Sequence, residues 1–127
     1  MKKEIIICII VVLTVVVLDI ITEKHTEKVI DRMEAELDEL RQNLLKKNST
    51  NFLNETQMII DDWLNEKNLL SIYIEHDELE KIETCLREVL SSTDTKDYEG
   101  AIQSLDTSVF LMNHIKDKYK LSIKNIF

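Results

Sequence analysis

The chain has 127 residues, which is enough for one domain. It contains no proline and one glycine, so it lacks the residues from which tight turns, β-bulges and phosphate-binding loops are usually built. Its net charge of −8 would repel a phosphate backbone, and we therefore expect no nucleic-acid partner. Leu, Ile, Glu and Lys are abundant instead, and this composition predicts an all-α protein.

The first element is an apolar run near the N-terminus. Residues 5–18 read IIICIIVVLTVVVL, and two isoleucines extend the run beyond Asp19 to give 17 residues. That length is at the short end of what spans a hydrocarbon core of about 30 Å. A cleaved signal peptide is the alternative, but the following D-I-I-T-E-K lacks the small residues of a cleavage site. We therefore predict a single transmembrane helix over residues 5–21, with Asp19 reaching the interface.

The charges on either side of the run predict its orientation. Two lysines precede it, and a mixed, acidic segment follows. By the positive-inside rule, residues 1–4 are cytoplasmic and residues 22–127 form a domain outside the cell membrane. Cys8 would then lie in the bilayer and Cys85 outside it, so a disulfide between them is implausible. Cys85 is expected to be either a packed residue or half of an intermolecular bridge.

Beyond the anchor, apolar residues recur at spacings of three and four. The first such stripe predicts a helix that runs from the membrane to about Lys47, and its two heptads fit a coiled coil or an intramolecular bundle equally well. The stripe consists of Ile30, Met33, Leu37, Leu40 and Leu44.

Three further stripes predict three further helices, which gives a bundle of about four helices outside the membrane. They are Phe52 or Leu53, Thr56, Ile59 or Ile60, Trp63, Leu70 and Ile74; Leu79, Ile82, Leu86, Val89 and Leu90; and Tyr98, Ile102, Leu105, Val109, Met112, Ile115 and Tyr119. Polar loops are predicted at 46–51 and 91–97. Whether the second and third helices are continuous across 71–77 is left open, although Asp77 with Glu80 would make an N-terminal capping pair and favours a break.

The acidic stretch I-E-H-D-E-L-E-K contains the candidate ligand pair, His76 and Glu80. Histidine and glutamate one helical turn apart can share a metal ion. The stretch has neither an H-E-x-x-H nor a Glu-x-x-His motif, however, so further ligands would have to come from a distant helix. We interpret it as the start of a helix whose acids favour the positive end of the helix dipole, and we predict no metal, no cofactor and no catalytic residue.

Three segments together resemble an uncharacterised family, domain of unknown function 4363. They are Trp63 in mid-chain, I-E-H-D-E-L at 74–79, and S-I-K-N-I-F at 122–127, behind the short N-terminal anchor. The resemblance implies a small, membrane-anchored helical protein of bacteria with no assigned activity. Because members of that family often neighbour another membrane-protein family in genomes, it also implies a membrane-protein partner.

The last two residues of the chain allow two interpretations. Ile126 and Phe127 either pack back onto the bundle or form a docking tip for a partner. The leading hypothesis from the sequence is a non-enzymatic accessory or scaffolding protein that partners another membrane protein or a second copy of itself. The alternative is a sensor or ligand-binding module outside the membrane, since helical sensor bundles carry a similar anchor.

Overall fold

The computed structural model describes residues 1–47 and 51–126, with side chains up to residue 120. Within these ranges it contains four helices and no strand, so the predicted all-α bundle is confirmed. The helices are α1 (Lys2–Lys46), α2 (Phe52–Leu70), α3 (His76–Asp94) and α4 (Tyr98–Ile126). Phe127 and half of the loop predicted at 46–51 (Asn48, Ser49 and Thr50) lie outside the described residues.

The longest helix, α1, has two different halves. Its N-terminal half presents the apolar run to the surroundings, and an 18-residue window with a mean hydropathy of 3.2 has none of its residues buried. By length and composition this half could cross a bilayer. Its C-terminal half buries every residue of the predicted seam, from Ile30 to Leu44. The helix predicted to run from the anchor into the bundle is therefore one continuous element.

The four helices pack as an up-and-down bundle, in which each helix contacts its two neighbours around the ring. The core takes its side chains from all four stripes, and the predicted residues are nearly all buried or partly buried in it. Trp63 is completely buried, as the single tryptophan was expected to be. The sequence left two choices open in the second stripe. Of Phe52 and Leu53, Phe52 is buried and Leu53 is exposed, whereas Ile59 and Ile60 are both buried.

The predicted loop at 91–97 is too long, because α3 continues through Asp94. Serine and threonine favour helix ends, but here their hydroxyls bond back to the helix, as in the 2.8 Å contact from Thr93 Oγ1 to the Leu90 carbonyl. Thr93 is also buried against the core, which favours one more helical turn. The connection is only residues 95–97, and Asp97 then accepts a hydrogen bond from the Gly100 N–H at the start of α4.

The second and third helices do break, between Leu70 and His76. The break is where the sequence allowed it, but the predicted capping pair is wrong. Glu75 is the N-cap residue of α3, and its side chain makes no capping hydrogen bond. Ile74, in the turn, is buried in the core, and the N-cap follows it directly, two residues before Asp77.

Candidate binding surfaces of the bundle

The pair singled out in the sequence, His76 and Glu80, does come together. His76 Nε2 lies 2.8 Å from Glu80 Oε1 across the first turn of α3. Both side chains face solvent, with 64% and 54% of their surface exposed. Among the residues described, no group of three or more histidine, cysteine or acidic side chains is arranged to hold a metal ion. The pair therefore supplies two donor atoms at an open surface and lacks the enclosing side chains of a metal site.

The C-terminal pair is described only in part. The backbone is helical through Ile126, so this residue belongs to α4 and not to a separate tail. Phe127 and the side chain of Ile126 lie outside the described atoms. The choice between packing back onto the bundle and forming a docking tip therefore stays a prediction.

A groove with a volume of about 390 Å³ lies between α1 and α2. Its floor contains the buried side chains Leu40 and Ile59, and Met58 stands at its edge with 71% of its surface exposed. Four of its eight lining residues are carboxylates, distributed over both helices. The groove is lined by Glu36, Glu39, Leu40, Asn43, Glu55, Met58, Ile59 and Asp62. We refer to it below as the acidic groove.

Beside the acidic groove, Arg32 holds the two helices together. Its Nη2 donates to Asp62 Oδ1 and to Glu66 Oε1, each at 3.0 Å, and its Nε lies 4.0 Å from Glu36 Oε1. About two turns further toward the N-terminus of α1, His25 Nε2 lies 3.8 Å from Glu66 Oε2. One guanidinium thus serves three carboxylates, so negative charge remains in excess along this edge of the bundle.

The carboxyl group of Glu36 is perturbed by this crowding. Partial burial between the helices raises its pKa, and a hydrogen bond with the Asp62 carboxyl group and the charge of Asp62 raise it further. Arg32 opposes the shift but does not cancel it. Helix pairing therefore brings two acids of different helices, Glu36 and Asp62, into contact.

Sequence reasoning missed the acidic groove for a physical reason. Its carboxylates come from two helices, and only the register of α1 against α2 makes them neighbours. One signal was present, since Met58 lies off the apolar stripe of its helix and is too exposed to belong to the core. A large apolar side chain in that position often marks an interaction surface.

Comparison with known proteins assigns the fold to a family without assigning an activity. Residues 20–126 match the family described as Domain of unknown function (DUF4363). The chain belongs to this family. The match covers the bundle and begins after most of the apolar run, so membership in DUF4363 is a property of the helical domain. No curated protein and no solved structure matches the chain.

Within the DUF4363 domain, Cys85 is a half-buried residue of α3. Burial raises the pKa of its thiol, and the nearby charge of Glu88 raises it further. A thiol with a raised pKa is mostly protonated at neutral pH and is a poor nucleophile. Cys8 is exposed on the apolar half of α1, and neither cysteine forms a disulfide within the chain.

Proposed function

We propose that this DUF4363 protein is a non-enzymatic, single-pass membrane protein that acts as an accessory or scaffolding subunit. In this proposal residues 5–21 are the anchor, the N-terminus is cytoplasmic and the bundle lies outside the cell membrane. The observation that supports it is the continuity of α1, in which an exposed apolar half passes without a break into a half whose apolar stripe is buried in the bundle. Such a helix fixes the bundle at a defined position relative to the bilayer, which suits a subunit that binds a neighbour in the membrane.

The acidic groove is the surface that best fits a protein partner. Its apolar floor and its carboxylate rim match an amphipathic segment with basic residues, which would bury Met58 and offset the excess negative charge. We infer that the partner contributes such a segment. Charged rims of this kind set partner choice and association rate more than they set affinity.

The test is affinity purification of the tagged, full-length protein from its native membranes in mild detergent, followed by mass spectrometry. We expect one stoichiometric membrane protein, lost with Met58→Glu. Phe110→Glu is a matched control, since Phe110 on α4 is 70% exposed and lies outside the acidic groove. If the wild-type protein is recovered alone, or only with further copies of itself, the proposal of a different membrane protein as partner is contradicted.

A ligand-binding or sensor module is a second candidate, and one observation favours it. The acidic groove combines an apolar floor with carboxylates that converge from two helices, and small-molecule sites typically combine apolar walls with a few convergent polar groups. A ligand that binds only the native state raises the melting temperature. Thermal shift of the full chain against cationic solutes and divalent metal ions tests this. A rise abolished by Glu36→Gln and retained in His76→Ala would assign the site to the groove.

A further inference from the structure

We propose that the end of the bundle next to the anchor is immersed in the membrane interface, where Ile72 and the last turns of α4 make a second contact with the bilayer. This inference rests on the proposed anchor at residues 5–21. It adds a membrane-facing surface that is formed by the folded domain itself.

The register of α4 against α1 places the end of α4 at the membrane boundary. Lys116 Nζ lies 2.7 Å from Asp31 Oδ1, and Arg41 Nε lies 2.9 Å from Asp106 Oδ1. The two contacts are separated by ten residues on α1 and by ten residues on α4. The two antiparallel helices therefore keep the same register between them. A further ten residues along α4 brings its backbone at Ile126 level with Ile21, where the apolar run ends.

The turn between α2 and α3 lies at nearly the same level. Tyr73 Oη is 2.7 Å from Thr26 Oγ1 and 3.4 Å from the carbonyl oxygen of Thr22. At a rise of 1.5 Å per residue, Thr26 is about 7 Å along α1 from Ile21. The headgroup layer on each side of a bilayer is about 5–8 Å thick. This turn would therefore stand within the headgroup layer.

The side chains at this level suit an interface between lipid and water. Ile72 has 76% of its surface exposed, and Leu69 at the end of α2 is also exposed. Tyr73 and Tyr119 meet edge to face, with ring centroids 6.3 Å apart, and tyrosine is enriched where membranes meet water. The end of α4 reads K-Y-K-L-S-I-K from 118 to 124, a mixture of lysine and apolar residues typical of interfacial helices.

The opposite end of the bundle provides the contrast. Its connection between α3 and α4 is T-K-D, whereas the connection between α2 and α3 is S-I-Y-I-E. Both are short turns at the ends of antiparallel helices. If water surrounded both turns, polar residues would be expected in each. The T-K-D connection has no apolar residue, whereas the turn that faces the anchor exposes Ile72, which is the arrangement that a bilayer on that side would favour.

The test uses single cysteines in the full chain, in a Cys8→Ser, Cys85→Ser background, carrying a nitroxide label in phospholipid vesicles. Labels at Ile72→Cys and Ile123→Cys report the proposed contact. A label at Val12→Cys reports the anchor, and one at Leu45→Cys, an exposed leucine near the far end of α1, reports the aqueous domain. The measurement compares the collision rate of each label with oxygen, which partitions into lipid, and with a water-soluble nickel complex.

We expect the labels at 12, 72 and 123 to favour oxygen, most strongly at 12, and the label at 45 to favour nickel. If 12 favours oxygen while 72 and 123 behave like 45, the second contact is overturned and the anchor stands. If 12 also favours nickel, the anchor itself is overturned. Slow collision of 72 and 123 with both reagents would mean that protein covers them, which equally overturns a lipid contact.

Discussion

Glu36 shows how a single side chain can depend on the pairing of two helices. On α1 alone it would be one of many solvated acids, but α2 places Asp62 against it and removes part of its water. A carboxyl group in that position keeps its proton to a higher pH than a solvated one does, because burial and the hydrogen bond with Asp62 raise its pKa. Arg32 provides the compensating charge from one side only.

The raised pKa of Glu36 predicts how stability depends on pH. Because the folded protein binds the proton more tightly than the unfolded chain does, this group stabilises the fold below the ordinary pKa of 4.5. That contribution is lost as the pH rises through the raised pKa. Glutamine cannot lose a proton, so we expect Glu36→Gln to remove this decrease in stability with rising pH. At pH 7 the variant should melt at or above the melting temperature of the wild type. Thermal unfolding followed by circular dichroism between pH 4 and pH 8 measures it.

Glu39→Gln is the control for this experiment. Glu39 lines the same groove but is exposed to solvent, so neutralising it removes the same formal charge without relieving a buried carboxyl group. The charge of Glu39 is the smallest of the causes that raise the pKa of Glu36, so the melting temperature of this variant should follow the wild-type pH profile more closely than that of Glu36→Gln does. An equal change in both variants would mean that net charge, and not the contact with Asp62, causes the effect.

At the scale of the element, α1 joins a half that could cross a bilayer to a half that packs in the core, because its apolar pattern changes within one helix. Its first half is apolar on every face, which suits a lipid environment, and its second half is apolar on one stripe, which suits a bundle. No helix-breaking residue separates the two halves, and the chain has no proline at all. Rotation or displacement of the anchor would therefore be transmitted to the seam.

The seam of α1 carries a stability prediction. Leu37 is fully buried, whereas Leu45 on the same helix is 53% exposed. We expect Leu37→Ala to lower the free energy of unfolding by about 2–5 kcal/mol, because it removes buried methyl groups and leaves a cavity. Leu45→Ala should change it by no more than about 0.5 kcal/mol. Denaturant unfolding in detergent compares the two variants. Equal decreases in the free energy of unfolding would contradict the burial of Leu37 in the core.

These elements also show how far the sequence predicts the fold. Apolar periodicity identified all four helices and the buried seam, because burial of one face determines where a helix packs. It did not determine the end of α3, since the tertiary contact of Thr93 outweighs the weak helix propensity of the serines and threonines around it. The acidic groove was also missed, because the contact between Glu36 and Asp62 depends on a helix register that no local pattern contains.

At the scale of the whole molecule, the anchor and the bundle define a polarity along one axis. Lysines and the apolar run occupy one end, the turn that contains Ile72 lies near the middle, and the T-K-D connection lies at the far end. Both proposals, a partner at the acidic groove and a bilayer contact at the middle, depend on the proposed anchor at residues 5–21. Orientation decides which compartment contains the bundle and the segment that its partner contributes.

The lysines before the anchor predict that the bundle is outside the cell membrane. In a Cys8→Ser, Cys85→Ser background, we expect a thiol reagent that cannot cross membranes to label Leu53→Cys in intact cells. Leu53 is exposed near the end of the bundle farthest from the anchor, so its access does not depend on the bilayer contact. Lys3→Cys, on the other side of the anchor, should react only after the cells are permeabilised. The reverse pattern would place the bundle in the cytoplasm, and labelling of both sites in intact cells would show that the reagent entered.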